Sequence, residues 1–436
     1  MNLFELTLKM NGFPIAAAKR KLDEIQQIDG ENFGEYVKNT RKKIVDYHVK
    51  NNPYYKNFVG NTDISIWENI PVMKKSDLQR PLKERLSKGF SVKNVYVNKT
   101  SGSSGNPFIF AKDKFSHALT WAVIIDRFGR CGIDFNSSLQ ARFYGIPLDF
   151  KGYYKERIKD FFGCRYRFPV FDLSEKKLEE ILQVFKRKKF YYINGYTSSI
   201  VLFAKYVAKK SIVLNEICPT LKYCIVTSEM LFDDDKKLME TVFGVPVINE
   251  YGASELDLIA FTNSEAKFVV NSETLFVEIL NENNQAVSLG NSGRIVITSL
   301  YNKAHPMIRY NIGDIGILSS SNPKKPILEK LIGRTNDIAK LPSGKTVPGL
   351  TFYYVTKSII SNDGNVKEFV IEQISLNTFK IKYVAERELS QIEKLKIEKS
   401  VFEYLENDLK IIFERNEFLD RTQSGKLKQF VSLVKS

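Results

Sequence analysis

Two short segments of the chain carry residue types suited to binding a nucleotide and its metal ion. Residues 100–107 (TSGSSGNP) form a loop of hydroxyl side chains and glycines, and residues 249–255 (NEYGASE) combine an aromatic ring, a glycine, a hydroxyl and a carboxylate. Backbone N–H groups in a Ser/Gly loop can point at phosphate oxygens. An aromatic face can stack on a purine, and a carboxylate is a ligand that Mg²⁺ takes. Together the segments predict a nucleotide site.

Two commoner nucleotide motifs are excluded. The loop at 100–107 does not end in Gly-Lys-Ser/Thr, so it is not a Walker loop, and it lacks the GxGxxG pattern of dinucleotide-binding folds. On its own it also fits a flexible Ser/Gly turn, just as residues 249–255 fit a strand-end turn with an exposed glutamate. The prediction therefore depends on the two segments occurring together, in this order.

Two segments downstream, residues 309–314 and 424–426, add chemical groups that a nucleotide site needs, and Gly333 and Arg334 lie between them. Residues 309–314 (RYNIGD) contain Asp314, whose carboxylate is suited to accept hydrogen bonds from both ribose hydroxyls. Arg334 follows Gly333 and can place a guanidinium near the same ribose or a phosphate. Lys426, in Ser-Gly-Lys, can bring an ammonium onto an oxyanion. Taken singly, each also fits an ordinary surface turn.

The elements that must position these residues follow an α/β pattern. Residues 1–90 read as polar helices, and from residue 92 strands alternate with amphipathic helices, which predicts layered α/β sheets. Residues 268–320 are β-rich with turn signals and predict an antiparallel subdomain. After a break near 333–337, two strands, a helix at 390–406 and a basic tail predict a small α+β domain. We therefore expect a large domain over 1–335 and a small C-terminal domain over 336–436.

Bulk properties narrow the class of protein. The 436 residues carry a formal charge of +15, but the basic residues are spread along the chain, which favours a solvated basic surface over a nucleic-acid face. Weak contact with an anionic membrane stays compatible with this charge. Four separated cysteines and three histidines do not predict a zinc site or a disulfide framework. No signal peptide and no long apolar run is apparent, so we expect a cytoplasmic protein.

The four segments, in this order and at these distances, resemble the adenylate-forming superfamily of acyl-CoA synthetases, peptide-synthetase adenylation domains and luciferases. The sequences of residues 251–255 and 308–314 are most similar to those of the phenylacetate–CoA ligase branch, which includes capsule-biosynthesis proteins. The similarity extends from about residue 50 to the end.

The resemblance implies a role for each matching residue. Phosphates of ATP would contact Thr100, Ser101, Ser103 and Ser104; the nucleoside and α-phosphate would contact Ser228, Glu229, Tyr251, Gly252, Ser254, Asp314 and Arg334; Mg²⁺ would bind Glu255; and Lys426 would act in catalysis together with Glu255.

The same resemblance implies an enzyme that uses ATP and Mg²⁺ to activate a small carboxylic acid as an acyl-adenylate. The small domain would then rotate, withdrawing Lys426 and bringing residues 341–345 (LPSGK) to the site for the second half-reaction. Asn106 stands where the phosphate loop often has lysine, and Asn336 stands where the hinge usually has Asp or Lys. The motifs of Glu255, Asp314 and Lys426 are intact, so an active enzyme is expected.

Alternatives remain open at the level of the acyl acceptor. One is CoA, giving a thioester; the other is an amine, giving an amide during capsule or O-antigen polysaccharide biosynthesis. A non-catalytic nucleotide-binding protein is a further hypothesis, and a nucleic-acid-binding protein is disfavoured because no recognition motif is present. The sequence identifies neither the acid nor the oligomeric state.

Overall fold

The computed structural model describes residues 3–100, 108–145, 150–334, 338–348, 365–422 and 425–434. The chain divides into two compact units, one of Met1–Ile312 with Gly316–Leu331 and the other of Gly313–Ile315 with Ile332–Ser436. The α-helices of the described residues are α1 Leu3–Met10, α2 Ile15–Gln26, α3 Gly30–Asn51, α4 Pro53–Val59, α5 Leu82–Arg85, α6 Lys114–Gly129, α7 Phe150–Phe162, α8 Glu175–Arg187, α9 Thr197–Lys209, α10 Leu214–Ile217, α11 Asp233–Phe243 and α12 Gln391–Tyr404.

The strands complete the element order. They are β1 Tyr96–Lys99, β2 Ile109–Lys112, β3 Gln140–Phe143, β4 Arg165–Phe168, β5 Tyr192–Tyr196, β6 Tyr223–Thr227, β7 Val247–Ala253, β8 Asp257–Thr262, β9 Phe268–Val270, β10 Leu275–Leu280, β11 Ser292–Ser299, β12 Tyr310–Ser320, β13 Ile327–Arg334, β14 Ile338–Lys340, β15 Thr346–Pro348, β16 Val366–Gln373, β17 Thr378–Ala385, β18 Lys410–Asn416 and β19 Phe430–Ser432.

One large mixed sheet organises the first unit. Its strand order is β10-β11-β12-β13-β9-β8-β7-β6-β5-β3-β4. The half from β4 to β7 is parallel, and the pairing becomes antiparallel from β7 to β8 onward. The predicted α/β class is confirmed, and the antiparallel strands expected over 268–320 are continuous with the parallel half.

Helices cover both faces of the parallel half, because its central strands are apolar on both sides. Ile193 and Val226 pack into a core that includes residues of α8, α9 and α11. Their chain neighbours Tyr192 and Ile225 point the other way, into a core that includes residues of α1, α2 and α6. Strands buried on both faces are the pattern of a parallel sheet between helical layers. The layers hold the carboxyl ends of β5, β6 and β7 in fixed register.

The second unit has its own sheet and core. Its four strands run in the order β18-β17-β16-β19. Along β17 every second residue is buried, and these residues pack with Ile397 and Val401 of α12. Helix α12 begins with a capping box, in which Ser390 and Glu393 satisfy each other's backbone N–H groups. The two strands and the helix predicted here are present as β16, β17 and α12, whereas β18 and β19 were not predicted.

In the part of the chain that the structure describes, no helix combines the length and the apolar composition needed to cross a membrane.

Candidate active site

The Ser/Gly loop of 100–107 is closed at its base by Thr100 and Phe108. Thr100 and Phe108 pair through the backbone, the Thr100 N–H donating to the Phe108 carbonyl at 3.0 Å. The Phe108 N–H in turn donates to Thr100 Oγ1, also at 3.0 Å. Strands β1 and β2 form the antiparallel hairpin that carries the loop. Thr100 is therefore the anchor of the loop, while Ser101, Ser103, Ser104 and Asn106 lie outside the described residues.

The second predicted segment forms the end of β7 and the turn into β8. Gly252 has to be glycine, because a Cβ atom there would lie 2.7 Å from the Asp257 carbonyl oxygen. Asp257 adopts a left-handed backbone conformation with φ of 57°, and the Leu256 N–H donates to the Ala253 carbonyl. A tight turn after a parallel strand places residues 251–255 at the carboxyl edge of the sheet. In open α/β sheets this edge is where ligands bind.

Glu255 is held by a hydrogen bond that the sequence did not reveal. The Tyr310 hydroxyl donates to Glu255 Oε1 at 3.1 Å, and both residues are buried. The Tyr310 ring lies 6.2 Å from the Phe108 ring, centre to centre. One chain of contacts thus connects Thr100 with Glu255 through Phe108 and Tyr310. Thr100, at the start of the predicted phosphate loop, and the predicted metal ligand Glu255 are therefore connected through packed side chains.

Glu255 fits the expected Mg²⁺ chemistry as a single protein ligand. Among the described residues, no group of three or more His, Cys, Asp or Glu side chains is arranged to hold a metal ion. Mg²⁺ bound with a nucleotide commonly takes only one or two carboxylates, since phosphate oxygens and waters complete its shell. The Glu255 carboxylate, fixed by Tyr310, can supply one ligand of that kind.

Lys112 is a buried lysine that lies against the same turn. Its ammonium is ion-paired with the Asp257 carboxylate, and the side chains are 5% and 22% exposed. Burial lowers the pKa of Lys112 to about 7, against the opposing effect of the Glu255 carboxylate. The pair connects β2 to the turn that carries Glu255. The only sequence signal for Lys112 was a charge that ends the apolar run of residues 108–111, and it was not recognised.

Tyr251 and Ser254, which supply the aromatic ring and the hydroxyl of the turn, differ in their exposure to solvent. Tyr251 is half-buried, and its ring meets the Phe268 ring edge-on at 6.3 Å. Ser254 is exposed. The Tyr251 ring is therefore supported from behind by the core, as a stacking platform requires.

Ser228 and Glu229 follow β6 at the same edge. Ser228 is exposed and has φ of 71°. The Glu229 carboxylate accepts a hydrogen bond from the Ser198 N–H at 2.7 Å, at the start of α9. A carboxylate is stabilised at a helix N-terminus, where N–H groups lack partners within the helix. In the structure this carboxylate therefore orients α9 against β6, in addition to any role toward a nucleotide.

Asp314 and Arg334 lie on neighbouring strands. Asp314 is a half-buried residue of β12, and Arg334 is the last residue of β13. The segment Gly313–Ile315 groups with the second compact unit, although β12 belongs to the large sheet. The side chain of Arg334 lies outside the described residues.

Lys426 lies in the second unit, on a small hairpin. Its N–H donates to Thr422 Oγ1 at 3.1 Å, and the Thr422 N–H donates back to the Lys426 carbonyl at 2.9 Å. Gly425 has φ of 88°, a conformation that favours glycine. Residues 341–345 form the turn between β14 and β15 in the same unit. Ser424 and Asn336 lie outside the described residues.

The carboxyl edge of the parallel strands also carries a buried acid. Glu250 precedes Tyr251 and accepts a hydrogen bond from the Thr227 hydroxyl at 3.0 Å. Burial raises the pKa of Glu250, while the Thr227 hydroxyl and the charge of Arg142 oppose this. Tyr144, just after β3, and Tyr196, the last residue of β5, contact each other with ring centres 4.6 Å apart.

Comparison with known proteins agrees with this geometry. No family model matches the chain. Protein CapK of Staphylococcus aureus is 23% identical over 341 residues, which are 73% of this chain and 70% of CapK. Among solved structures, 2-hydroxyisobutyryl-CoA ligase in complex with R3-HIB-AMP matches with a TM-score of 0.70 and 16% identity, over 91% of this chain and 88% of the ligase.

More distant structures have the same architecture over part of the chain. The anthranilate CoA ligase AuaEII, in complex with anthranoyl-AMP, matches with a TM-score of 0.53 and 15% identity, over 76% of this chain and 64% of that one. ATP-bound MatB from Rhodopseudomonas palustris gives 0.54 and 14%, over 77% and 65%. The fold is that of the adenylate-forming CoA ligases, as the sequence resemblance implied.

Proposed function

We propose that this protein is an AMP-forming ligase, which activates a carboxylic acid with ATP and Mg²⁺ as an acyl-adenylate and transfers the acyl group to CoA. The observation that carries the proposal is the contact chain from Thr100 through Phe108 and Tyr310 to Glu255. It joins Thr100, at the start of the Ser/Gly loop, to the carboxylate that would bind Mg²⁺, within a fold shared with ligases whose structures contain acyl-AMP or ATP. Thr100, with Ser101, Ser103 and Ser104, would contact the phosphates.

The chemistry needs little besides positive charge and correct position. Attack of a carboxylate on the α-phosphate brings two anions together, and Mg²⁺ on Glu255 with the ammonium of Lys426 would offset that repulsion. The expelled group is pyrophosphate, so no side chain has to act as a general acid or base. Tyr251 would stack on adenine, beside Gly252 and the Ser228–Glu229 segment. Asp314 and Arg334 would hold the ribose, and Ser254 the adenylate phosphate.

A second candidate differs only in the acceptor. The acyl group would pass to an amine and form an amide in polysaccharide biosynthesis. The CapK relative favours this alternative, since the sequence resemblance includes capsule-biosynthesis proteins. Both candidates share the adenylation step, so that step is the one to test first.

The test is pyrophosphate release with ATP and Mg²⁺ across aryl, fatty, hydroxy and amino acids, each with and without CoA. Lys426→Ala removes the proposed catalytic ammonium, and Lys410→Ala, at an exposed position of β18, is the matched control. We expect release that depends on the acid and on Lys426 but not on Lys410. Faster turnover with CoA would favour the thioester, and faster turnover with an added amine would favour the amide.

Two results would contradict the proposal. ATP binding without pyrophosphate release for any acid would favour a non-catalytic nucleotide-binding protein. Salt-sensitive binding of DNA or RNA that Glu255→Ala leaves unchanged would instead favour a nucleic-acid-binding protein.

A further inference from the structure

Three arginines, Arg142, Arg165 and Arg167, project from the same face of the parallel sheet as Glu250. In the register of β3 and β4, Gln140 lies opposite Arg165 and Arg142 lies opposite Arg167. Because side chains alternate between faces along a strand, Arg142 and Arg165 share a face and are diagonal neighbours. Burial lowers the pKa of Arg165, and the positive charge of Arg142 lowers it further.

Arg167 shows how a buried arginine on this face is normally satisfied. Its guanidinium donates to both Asp160 carboxylate oxygens at 2.8 Å and to Glu156 Oε2 at 2.8 Å. Arg142 and Arg165, in contrast, form no ion pair with any described residue, and the Nε atom of each is buried without a hydrogen-bond partner there. Both residues are half-buried. A cation that is partly removed from water and has no ion-pair partner is costly, so this arrangement fits a site completed by a ligand.

The remaining contacts of Arg142 leave its donors available. Its Nη1 lies 3.4 Å from Gln140 Oε1, a long hydrogen bond, and its guanidinium lies over the Tyr144 ring at 4.0 Å. Stacking on an aromatic ring orients the planar fork without using its N–H groups.

Tyr192 adds a third unused donor to the same face. It is fully buried, and its hydroxyl has no hydrogen-bond partner among the described residues. It faces Gln140 in the pairing of β3 with β5, next to Arg165 on the other side of β3. Arg142, Arg165 and Tyr192 together, named here the arginine cluster, present donors and two positive charges. Two carboxylates act on the cluster: Glu250, whose pKa burial raises, interacts with Arg142, and Asp160, which is already paired with Arg167, interacts with Arg165.

The strand register places the arginine cluster relative to the residues at the carboxyl edge of the sheet. In the pairing of β5, β6 and β7, Tyr196, Thr227 and Glu250 lie in one row. Arg142 lies in the next row back on the same face, opposite Asn194. Its backbone is about 7 Å from the row of Glu250 along the strands and three strands, about 14 Å, across the sheet. The long side chain spans part of this separation, since the charge of Arg142 acts on Glu250. A molecule whose reacting end is at Glu250 and Tyr251 would extend its far end toward Arg142.

We propose that the arginine cluster binds an anionic group at the far end of the acid substrate, so that the substrate is a short dicarboxylic acid. This inference rests on the proposed function. One carboxylate would react at the carboxyl edge, while the distal carboxylate accepts hydrogen bonds from Arg142, Arg165 and the Tyr192 hydroxyl. Guanidinium groups match carboxylates in a planar two-point geometry, and charge-assisted bonds of this kind are among the strongest in proteins. A monocarboxylic acid would leave both guanidinium groups uncompensated.

The experiment compares acids that differ only at the far end. Succinate, glutarate and adipate are each paired with the corresponding monoamide, which has the same shape but no distal charge. Pyrophosphate release gives kcat/KM for each acid, and thermal unfolding with each acid measures binding independently of turnover. The variants are Arg142→Gln, Arg142→Lys and, as the control, Arg20→Gln at an exposed position of α2.

We expect the wild-type protein and Arg20→Gln to prefer one diacid over its monoamide by about 10- to 100-fold, the usual effect of a hydrogen bond to a charged group. Arg142→Gln should lose that preference and Arg142→Lys should retain part of it. A ratio between two acids does not change when a variant only reduces the amount of folded enzyme, so loss of preference separates binding from stability.

The two proposals fail in different ways. Pyrophosphate release with monocarboxylic acids, combined with no diacid preference or a preference that Arg142→Gln leaves unchanged, would overturn the inference and support the proposed function. Thermal protection by a diacid that Arg142→Gln abolishes, without pyrophosphate release, would support the cluster as a dicarboxylate site and contradict the proposed activity. Neither protection nor release with any diacid would overturn the inference.

Discussion

The ion pair between Lys112 and Asp257 leads to a prediction about stability and pH. Asp257→Asn removes the carboxylate while keeping the size of the side chain. Asparagine also tolerates the left-handed backbone found here, with φ of 57°. The substitution therefore removes the charge of the ion-pair partner of Lys112, whose side chain is 5% exposed. The Glu255 carboxylate stays in the variant and still acts on the ammonium.

The magnitude follows from the pKa of Lys112. Burial lowers that pKa to about 7, so with Asp257 present the ammonium is charged below pH 7 and neutral above it. Below pH 7 the folded wild type is stabilised by protonation of Lys112, by about 1.4 kcal/mol for each pH unit. Without Asp257 the folded variant can keep Lys112 neutral, and its loss of stability relative to the wild type is then limited to this amount. We expect Asp257→Asn to reduce the free energy of unfolding by up to about 1 kcal/mol at pH 6 and about 3 kcal/mol at pH 5, with little effect at pH 8.

The sign of the pH dependence can be checked by linkage. In the unfolded chain Lys112 has its usual pKa of 10.5 and stays protonated, whereas the folded variant binds fewer protons than the folded wild type between pH 5 and 7. Stability rises with pH wherever the unfolded state binds more protons, so the variant gains stability across that window and approaches the wild type. His117, which faces Lys112, has its pKa lowered to about 3 by burial and by Lys112 and does not titrate in this range.

Urea unfolding at pH 5, 6 and 8, followed by tryptophan fluorescence, measures these free energies. The chain has two tryptophans, Trp67 and Trp121, and both belong to the first unit, as do Lys112 and Asp257. The signal therefore reports the unit that carries the perturbation. The control is Asp257→Asn introduced into Lys112→Met, where no lysine remains to titrate.

In the Lys112→Met background, the effect of Asp257→Asn should not vary between pH 5 and 8. The reasoning is refuted if Asp257→Asn destabilises the wild-type background equally at pH 5 and pH 8. It is also refuted if the pH dependence persists in the Lys112→Met background, since Lys112 would then not be the titrating group.

The remaining predictions concern the nucleotide site. Tyr310→Phe removes only the hydroxyl that holds Glu255, so a Mg²⁺ titration of pyrophosphate release should show metal affinity weakened about fivefold, corresponding to about 1 kcal/mol; unchanged affinity would mean that Glu255 needs no such support. Lys426→Ala should abolish adenylate formation but largely spare the use of a pre-made acyl-AMP, and equal loss of both steps would contradict a lysine that acts only in the first. Asp314→Ala should weaken ATP binding in a direct titration, and unchanged ATP affinity would remove Asp314 from the ribose site.

The class of the fold could be predicted from local patterns in the sequence. Alternating strand and helix signals predicted the parallel half of the sheet, and the helix expected at 390–406 is α12, at Gln391–Tyr404. These patterns depend on the spacing of apolar residues, which is a property of the sequence itself. The continuity of the antiparallel strands with the parallel half was not predicted, because strand order depends on pairing between segments far apart in the chain.

The candidate site divides in the same way. Glycine and turn chemistry identified the segment at 249–255 from the sequence, and the close approach of Gly252 to the Asp257 carbonyl agrees with that reading. Tyr310, which holds Glu255 from 55 positions away, carried no local signal for that role.

The sequence by itself determined which chemical groups are available and which short turns present them, because turns are governed by neighbouring residues. Only the tertiary structure decided which distant side chains meet. Lys112 reaches Asp257 across 145 positions, and Arg142 and Arg165 share a face through the register of two parallel strands. A shift of one residue in that register would send one arginine to the opposite face, since side chains alternate with a period of two. Burial strengthens the interactions of these charges and shifts their pKa values, and it likewise arises only once the helical layers have packed on the sheet.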